Sequence, residues 1–109
     1  MDFIKNMPEI PGKLADMIAV RPGRVISMSL SKVEGVSMML FAFAEGEGVK
    51  AEIYPGDMWY FCVEGSMLLC KDGEEYPMKV GDCVAVKAGE AHALKGPGAF
   101  KMLQIMLQN

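Results

Sequence analysis

The sequence predicts an all-β domain: a sandwich or barrel of about eight to ten short strands behind a short, irregular N-terminal arm. Three observations carry that expectation. From Arg24 onward, apolar side chains recur with the two-residue period of half-buried strands. Turn residues interrupt the chain roughly every 6–12 residues. No stretch carries the helical apolar period over the length that a crossover between parallel strands needs. The chain has 109 residues, the size of one domain, and a chain of that length buries roughly two-thirds of its unfolded surface.

Residues 1–23 form the arm and 24–109 the β domain. Pro8, Pro11 and Pro22 break the arm, with Gly12 and Gly23 as turn points. Leu14, Met17 and Ile18 recur at helical spacing, so the arm holds either one short helical turn or an extended segment that packs on a partner subunit. The first strand alternates Val25, Ser27 and Ser29 with Ile26, Met28 and Leu30, and residues 31–35 read as a turn. Strands follow at 36–44 and 50–54, separated by Gly46 and Gly48. Pro55-Gly56-Asp57 is a turn with its own chemistry. The next strand spans 58–63. Glu64-Gly65 reads as a tight hairpin leading into 66–71, and Asp72-Gly73 is the strongest short hairpin signal of the chain. Strands at 75–80, 83–87, 92–94 and 100–107 complete the pattern.

Composition excludes several function classes. The net charge is −3, which disfavours nucleic acid, whose phosphates reward a basic face. No apolar run approaches the roughly 18 residues of a membrane span. MDFIKNMPEIPG lacks an apolar signal region, so a cytoplasmic location is expected. Cys62, Cys70 and Cys83 form an odd set with no C-x-x-C pair. They read as three small buried hydrophobes in a reducing compartment. The chain is 51% apolar and carries 11 methionines. That excess points to an oligomer interface, a lined cavity, or both.

Two stretches carry the chemistry. Gly46 to Gly65 and Gly81 to Gly96 place glycines, a Pro-Gly-Asp turn and His92 at fixed offsets. Their spacing resembles the two motifs of the cupin superfamily, G-x5-H-x-H-x3-E-x6-G and G-x5-P-x-G-x2-H-x3-N. Placed at Gly46, the first motif assigns ligand positions to Glu52, Tyr54 and Met58 and its closing glycine to Gly65. Placed at Gly81, the second finds Gly89 and His92, with Lys87 and Gly96 in place of its proline and asparagine. The 15 residues between the motifs are similar to those of small single-domain "cupin 2, conserved barrel" proteins. The resemblance implies a double-stranded β-helix, or jelly-roll barrel, over about residues 24–107.

It also implies a site inside the barrel. Positions 52, 54, 58, 60 and 62 point inward if the Pro-Gly-Asp turn preserves their phase. Metal-binding cupins hold a divalent transition metal with about four His and carboxylate ligands. Here only Glu52 and His92 are ordinary ligands, and Met58 offers a thioether suited to softer ions. A divalent transition metal is therefore a candidate cofactor with just those two candidate ligands. Asp57 and Asp82 read as turn-fixing residues that bond local backbone amides. Glu52, Tyr54, Met58, Tyr60, His92 and Met102 are the candidate ligand-binding residues. His92, paired with Glu52, is the candidate acid–base couple. In the last strand Phe100, Met102 and Gln104 face inward and Lys101 faces solvent.

Two functions follow from that set. One is a binding module for a small organic ligand, with a degenerate metal site. The other is a cupin enzyme of isomerase, lyase or dioxygenase type, metal-dependent or acid–base, using His92 and Glu52. No DNA-binding segment accompanies the barrel. Trp59 and Phe61 point outward and need cover. A homodimer through them or through the arm is expected, and the same-chain arm is the competing cover.

Overall fold

A computed structural model describes residues 3–109. Nine strands form two antiparallel sheets that face each other and share no strand. The five-stranded sheet runs β1 (Val25–Val33), β2 (Val36–Phe43), β9 (Phe100–Leu107), β4 (Asp57–Glu64) and β7 (Cys83–Val86). The four-stranded sheet runs β3 (Val49–Glu52), β8 (His92–Lys95), β5 (Ser66–Lys71) and β6 (Glu74–Lys79). This is the expected all-β jelly-roll architecture, and the two sheets do not close on each other.

The interior between the sheets follows from alternation. Met58, Tyr60 and Cys62 of β4 are buried, while Trp59 between them is exposed and Phe61 and Val63 are half-buried. Phe100 and Met102 join them from β9, and Gln104 stands opposite Tyr60 in the ladder. Phe43, Met67, Leu69, Met78, Val86 and Leu94 close the interior from both sheets. Phe43 and Phe100 stack with ring centroids 4.6 Å apart. Side chains of this kind contribute roughly 1.5–3 kcal/mol each on burial.

A second apolar layer lies on the outer face of the five-stranded sheet. Ile18 packs there against Leu30, Leu40 and Ala42, with Leu14 and Met17 beside it. Leu14–Met17 form a single 3-10 turn. Of the two readings of the arm, the structure shows the helical turn, and it lies on its own sheet. Further upstream, Lys5 donates its backbone N–H to Leu30 O, and Asn6 Nδ2 donates to Ser29 O.

Four sequence expectations are corrected. Residues 31–33 are not a turn: β1 continues to Val33 past a bulge between Ser29 and Ser31, and only Glu34-Gly35 turns. Polar residues on this edge strand imitate a loop in sequence. Glu64-Gly65 does not close a hairpin, because β4 and β5 belong to different sheets. It is the corner where the chain changes sheet. Gly65 has φ +73°, and a Cβ there would stand 2.6 Å from Ala99 O, so both backbone and space demand glycine. Asp72-Gly73 is the hairpin that the sequence indicates, with φ +53° and +76° as a type I′ turn requires. Lys101 does point away from the interior, yet it is buried, because the 3-10 turn lies over it. Finally, of the three cysteines only Cys62 is buried; Cys70 is half-buried and Cys83 exposed.

Candidate functional site

The Pro-Gly-Asp turn sets the geometry. Its glycine is tight: a Cβ on Gly56 would meet Leu107 O at 2.7 Å. Asp57 does not bond a local amide, as expected, but accepts the N–H of Ala88 at 2.8 Å and thereby ties the start of β4 to the chain beyond β7. Asp82 behaves as expected, accepting the N–H of Lys79 at 2.9 Å. Gly89 donates its backbone N–H to Tyr54 O at 3.1 Å, so the loop before β8 is fastened to the loop before β4. His92, at the start of β8, is thus brought against Tyr54 and Tyr60.

His92 is 3% exposed, and both its ring nitrogens are engaged. Nδ1 lies 3.0 Å from Glu90 O, and Nε2 lies 2.7 Å from the Tyr60 hydroxyl. A carbonyl oxygen only accepts, so Nδ1 carries the proton. Nε2 of the neutral ring then accepts, and the Tyr60 O–H donates. The rings of Tyr60 and Tyr54 stand 5.5 and 5.3 Å from the imidazole, edge-on and tilted respectively. Burial pushes the Tyr60 phenol well above its ordinary value, and neighbouring Tyr54 adds to the effect. The Tyr54 phenol is also raised, first by burial and then by the Glu52 carboxylate facing it.

The structure therefore gathers Tyr54, Met58, Tyr60, His92 and Met102 but leaves Glu52 apart. Met58, Tyr60 and Met102 are each at most 1% exposed and help fill the interior. Glu52 is opposite His92 in the β3–β8 ladder, yet its carboxylate is exposed and leans on Tyr54. The candidate couple of His92 and Glu52 makes no hydrogen bond; both ring nitrogens of His92 are engaged by Tyr60 and Glu90 O. Tyr54 keeps the inward side with Met58, Tyr60 and Cys62 across the turn, whereas Glu52, at the end of β3, lies outside that set.

Two partners escaped sequence reasoning. Glu90 contributes a backbone carbonyl, which no side-chain pattern reveals. Lys71 follows Cys70, the ladder partner of Ala93, and so lies beside His92; its Nζ pairs with Glu90 Oε2 at 3.2 Å. The pairing of β5 with β8, which no local pattern reveals, brings it there. His92, Lys71, Asp72 and Lys95 line part of an open cleft of about 530 Å³ at this end of the four-stranded sheet.

These donors do not fit a divalent metal. The inward nitrogen of His92 is bonded to Tyr60, Glu52 lies outside, and no cluster of three His, Cys, Asp or Glu able to hold an ion occurs among the described residues. Two ligands fall short of the roughly four that such a centre requires.

A cupin-domain family profile matches residues 39–106, well over half of the chain. The chain belongs to the cupin family. The crystal structure of a cupin superfamily protein from Desulfitobacterium hafniense superposes with a TM-score of 0.93 at 39% identity, covering 97% of this chain and 98% of that one. A conserved protein of unknown function from Streptococcus pyogenes has the same fold, with a TM-score of 0.92 at 23% identity over 100% and 96% of the two chains. A cupin 2 conserved barrel domain protein from Leptotrichia buccalis gives a TM-score of 0.82 at 26% identity, over 87% of this cupin and 46% of its own length. No curated protein matches the chain. Among the described residues, no helix of this cupin is long and apolar enough to cross a membrane.

Proposed function

We propose that this cupin is a binding module with a degenerate metal site, holding a small organic ligand at the open end of its barrel. Glu52 and Tyr54 supply polar groups at its rim; His92, bonded on both ring nitrogens, and the buried Met58, Tyr60 and Met102 form the fixed wall behind them. The observation that carries this reading is the position of His92: held on both nitrogens, it lines an open cleft of about 530 Å³. A fixed imidazole flanked by two tyrosines and backed by adaptable methionines suits recognition of a ligand with both polar and apolar parts. The acid–base reading loses support from the same geometry, since Glu52 does not reach the imidazole.

Native mass spectrometry of the protein, purified gently, tests the proposal. The expected result is an adduct of small-molecule mass that denaturation releases and His92→Ala abolishes. A chain mass raised only by a stoichiometric transition metal would reverse it in favour of the enzyme.

The protein is further proposed to act in the cytoplasm as a homodimer. Trp59 remains 42% exposed and packs on Phe61 with ring centroids 4.7 Å apart. The arm covers the neighbouring apolar layer but leaves this pair open. An interface residue of that kind tolerates no charge, so Trp59→Glu should give monomers in light scattering. An unchanged mass would remove this face from the interface.

A further inference from the structure

We infer that the Tyr60 hydroxyl is a built-in occupant of the His92 Nε2 position, which keeps the barrel interior closed to divalent metals. A metal-ligating histidine usually donates its second ring N–H to a carboxylate or backbone carbonyl, which fixes the tautomer and turns the bare nitrogen toward the ion. His92 has that arrangement: Nδ1–H donates to Glu90 O at 3.0 Å. The bare nitrogen meets the Tyr60 O–H, 2.7 Å away and buried.

Tyr60 is held there from both sides. It lies on β4, paired with Val84 of the edge strand β7 and with Gln104 of the central strand β9, and it is 1% exposed. A metal approaching Nε2 has to break a buried hydrogen bond, displace a packed ring and bind with too few further ligands. The inference concerns the imidazole alone and does not depend on the ligand proposed above.

The chain has one histidine, so every histidine signal in its NMR spectrum reports this site. Long-range proton–nitrogen correlation spectra near neutral pH read the tautomer directly. The expected pattern is a protonated Nδ1 and a bare Nε2 in the wild type. One equivalent of Ni(II) should leave those signals unchanged. In Tyr60→Phe the bare nitrogen is released, and the His92 signals should broaden at about tenfold lower Ni(II), the factor that one ordinary hydrogen bond represents. A wild-type imidazole protonated at Nε2 overturns the inference. So does wild-type broadening at one equivalent, or a Tyr60→Phe protein that responds to Ni(II) as the wild type does. If Tyr60→Phe does not fold, the wild-type tautomer and its response to Ni(II) still decide.

Discussion

His92 and Lys101 are the buried polar side chains of the described structure, and they lie in different layers. His92 belongs to the interior between the sheets. Its partners are a phenol and a backbone carbonyl. Lys101 belongs to the outer layer beneath the arm. Its ammonium bonds Ala15 O at 2.7 Å and the half-exposed Glu64 carboxylate at 3.1 Å. The two solutions differ because their surroundings differ. Deep in the interior a charge would cost several kcal/mol, so the group there is one that can be neutral and fully bonded. At the edge of the outer layer the charge keeps a route to water, and the long lysine stem fills apolar space below it. The first group therefore belongs to the fold as a whole, the second to one strap across it.

Breaking the interior group should have the larger effect. His92→Ala removes a packed ring, leaves a cavity and strands the Tyr60 hydroxyl, at a cost of about 3 kcal/mol. The loss should appear in the urea midpoint of the entire chain, with near-ultraviolet signals of Tyr54 and Tyr60 altered. A change below about 0.5 kcal/mol would mean that water or a side chain fills the space, and the interior would be less tightly specified than its burial implies.

Breaking the outer group should be smaller and local. Lys101→Met keeps the stem but loses the bond to Ala15 O and the pairing with Glu64. Glu64 is half exposed, so its part is heavily screened; the orphaned carbonyl sets the cost at about 1–2 kcal/mol. Hydrogen exchange should quicken at the amide of Asp16, which bonds Lys13 O within the 3-10 turn, while the interior strands keep their protection. Equal acceleration in β4 and β9 would show that the arm and the barrel unfold as one unit, and the contrast between the layers would collapse.

This contrast also marks what the sequence reveals. Strands β4, β5, β7 and β9 are legible because alternation and turn chemistry agree along each of them. Position β1 is less so: Ser31 and Lys32 resemble a loop until a neighbouring strand is known to pair with them. Which sheet each strand joins is not written locally, and Glu64-Gly65 serves a corner as well as it would serve a hairpin. For the site, the spacing of Tyr54, Met58, Tyr60 and His92 was enough to bring them together. It could not show that Glu52 turns outward, since that depends on where β3 ends, nor that a backbone carbonyl completes His92. The burial of Lys101 comes from Ala15, 86 residues away, and no periodicity within β9 contains it.

The finest test of the interior is its response to alkali. Tyr60 and Tyr54 both have phenol values raised above the ordinary 10.0. The unfolded chain therefore loses these protons at lower pH than the folded chain does. Their contribution to stability is complete below pH 10 and is lost as pH rises from there through the folded values. Each such group steepens the fall by up to about 1.4 kcal/mol per pH unit. Tyr60→Phe removes one of them. At neutral pH this variant should be less stable by about 1 kcal/mol, because Nε2 of His92 loses its donor. Above pH 10 the wild type should fall faster, and the two stability curves should converge. Urea midpoints measured between about pH 8 and 11 resolve the difference, since the lysines that titrate in the same range are common to both proteins. Parallel curves would show that the Tyr60 hydroxyl is in contact with water, and the closed interior around His92 would have to be abandoned.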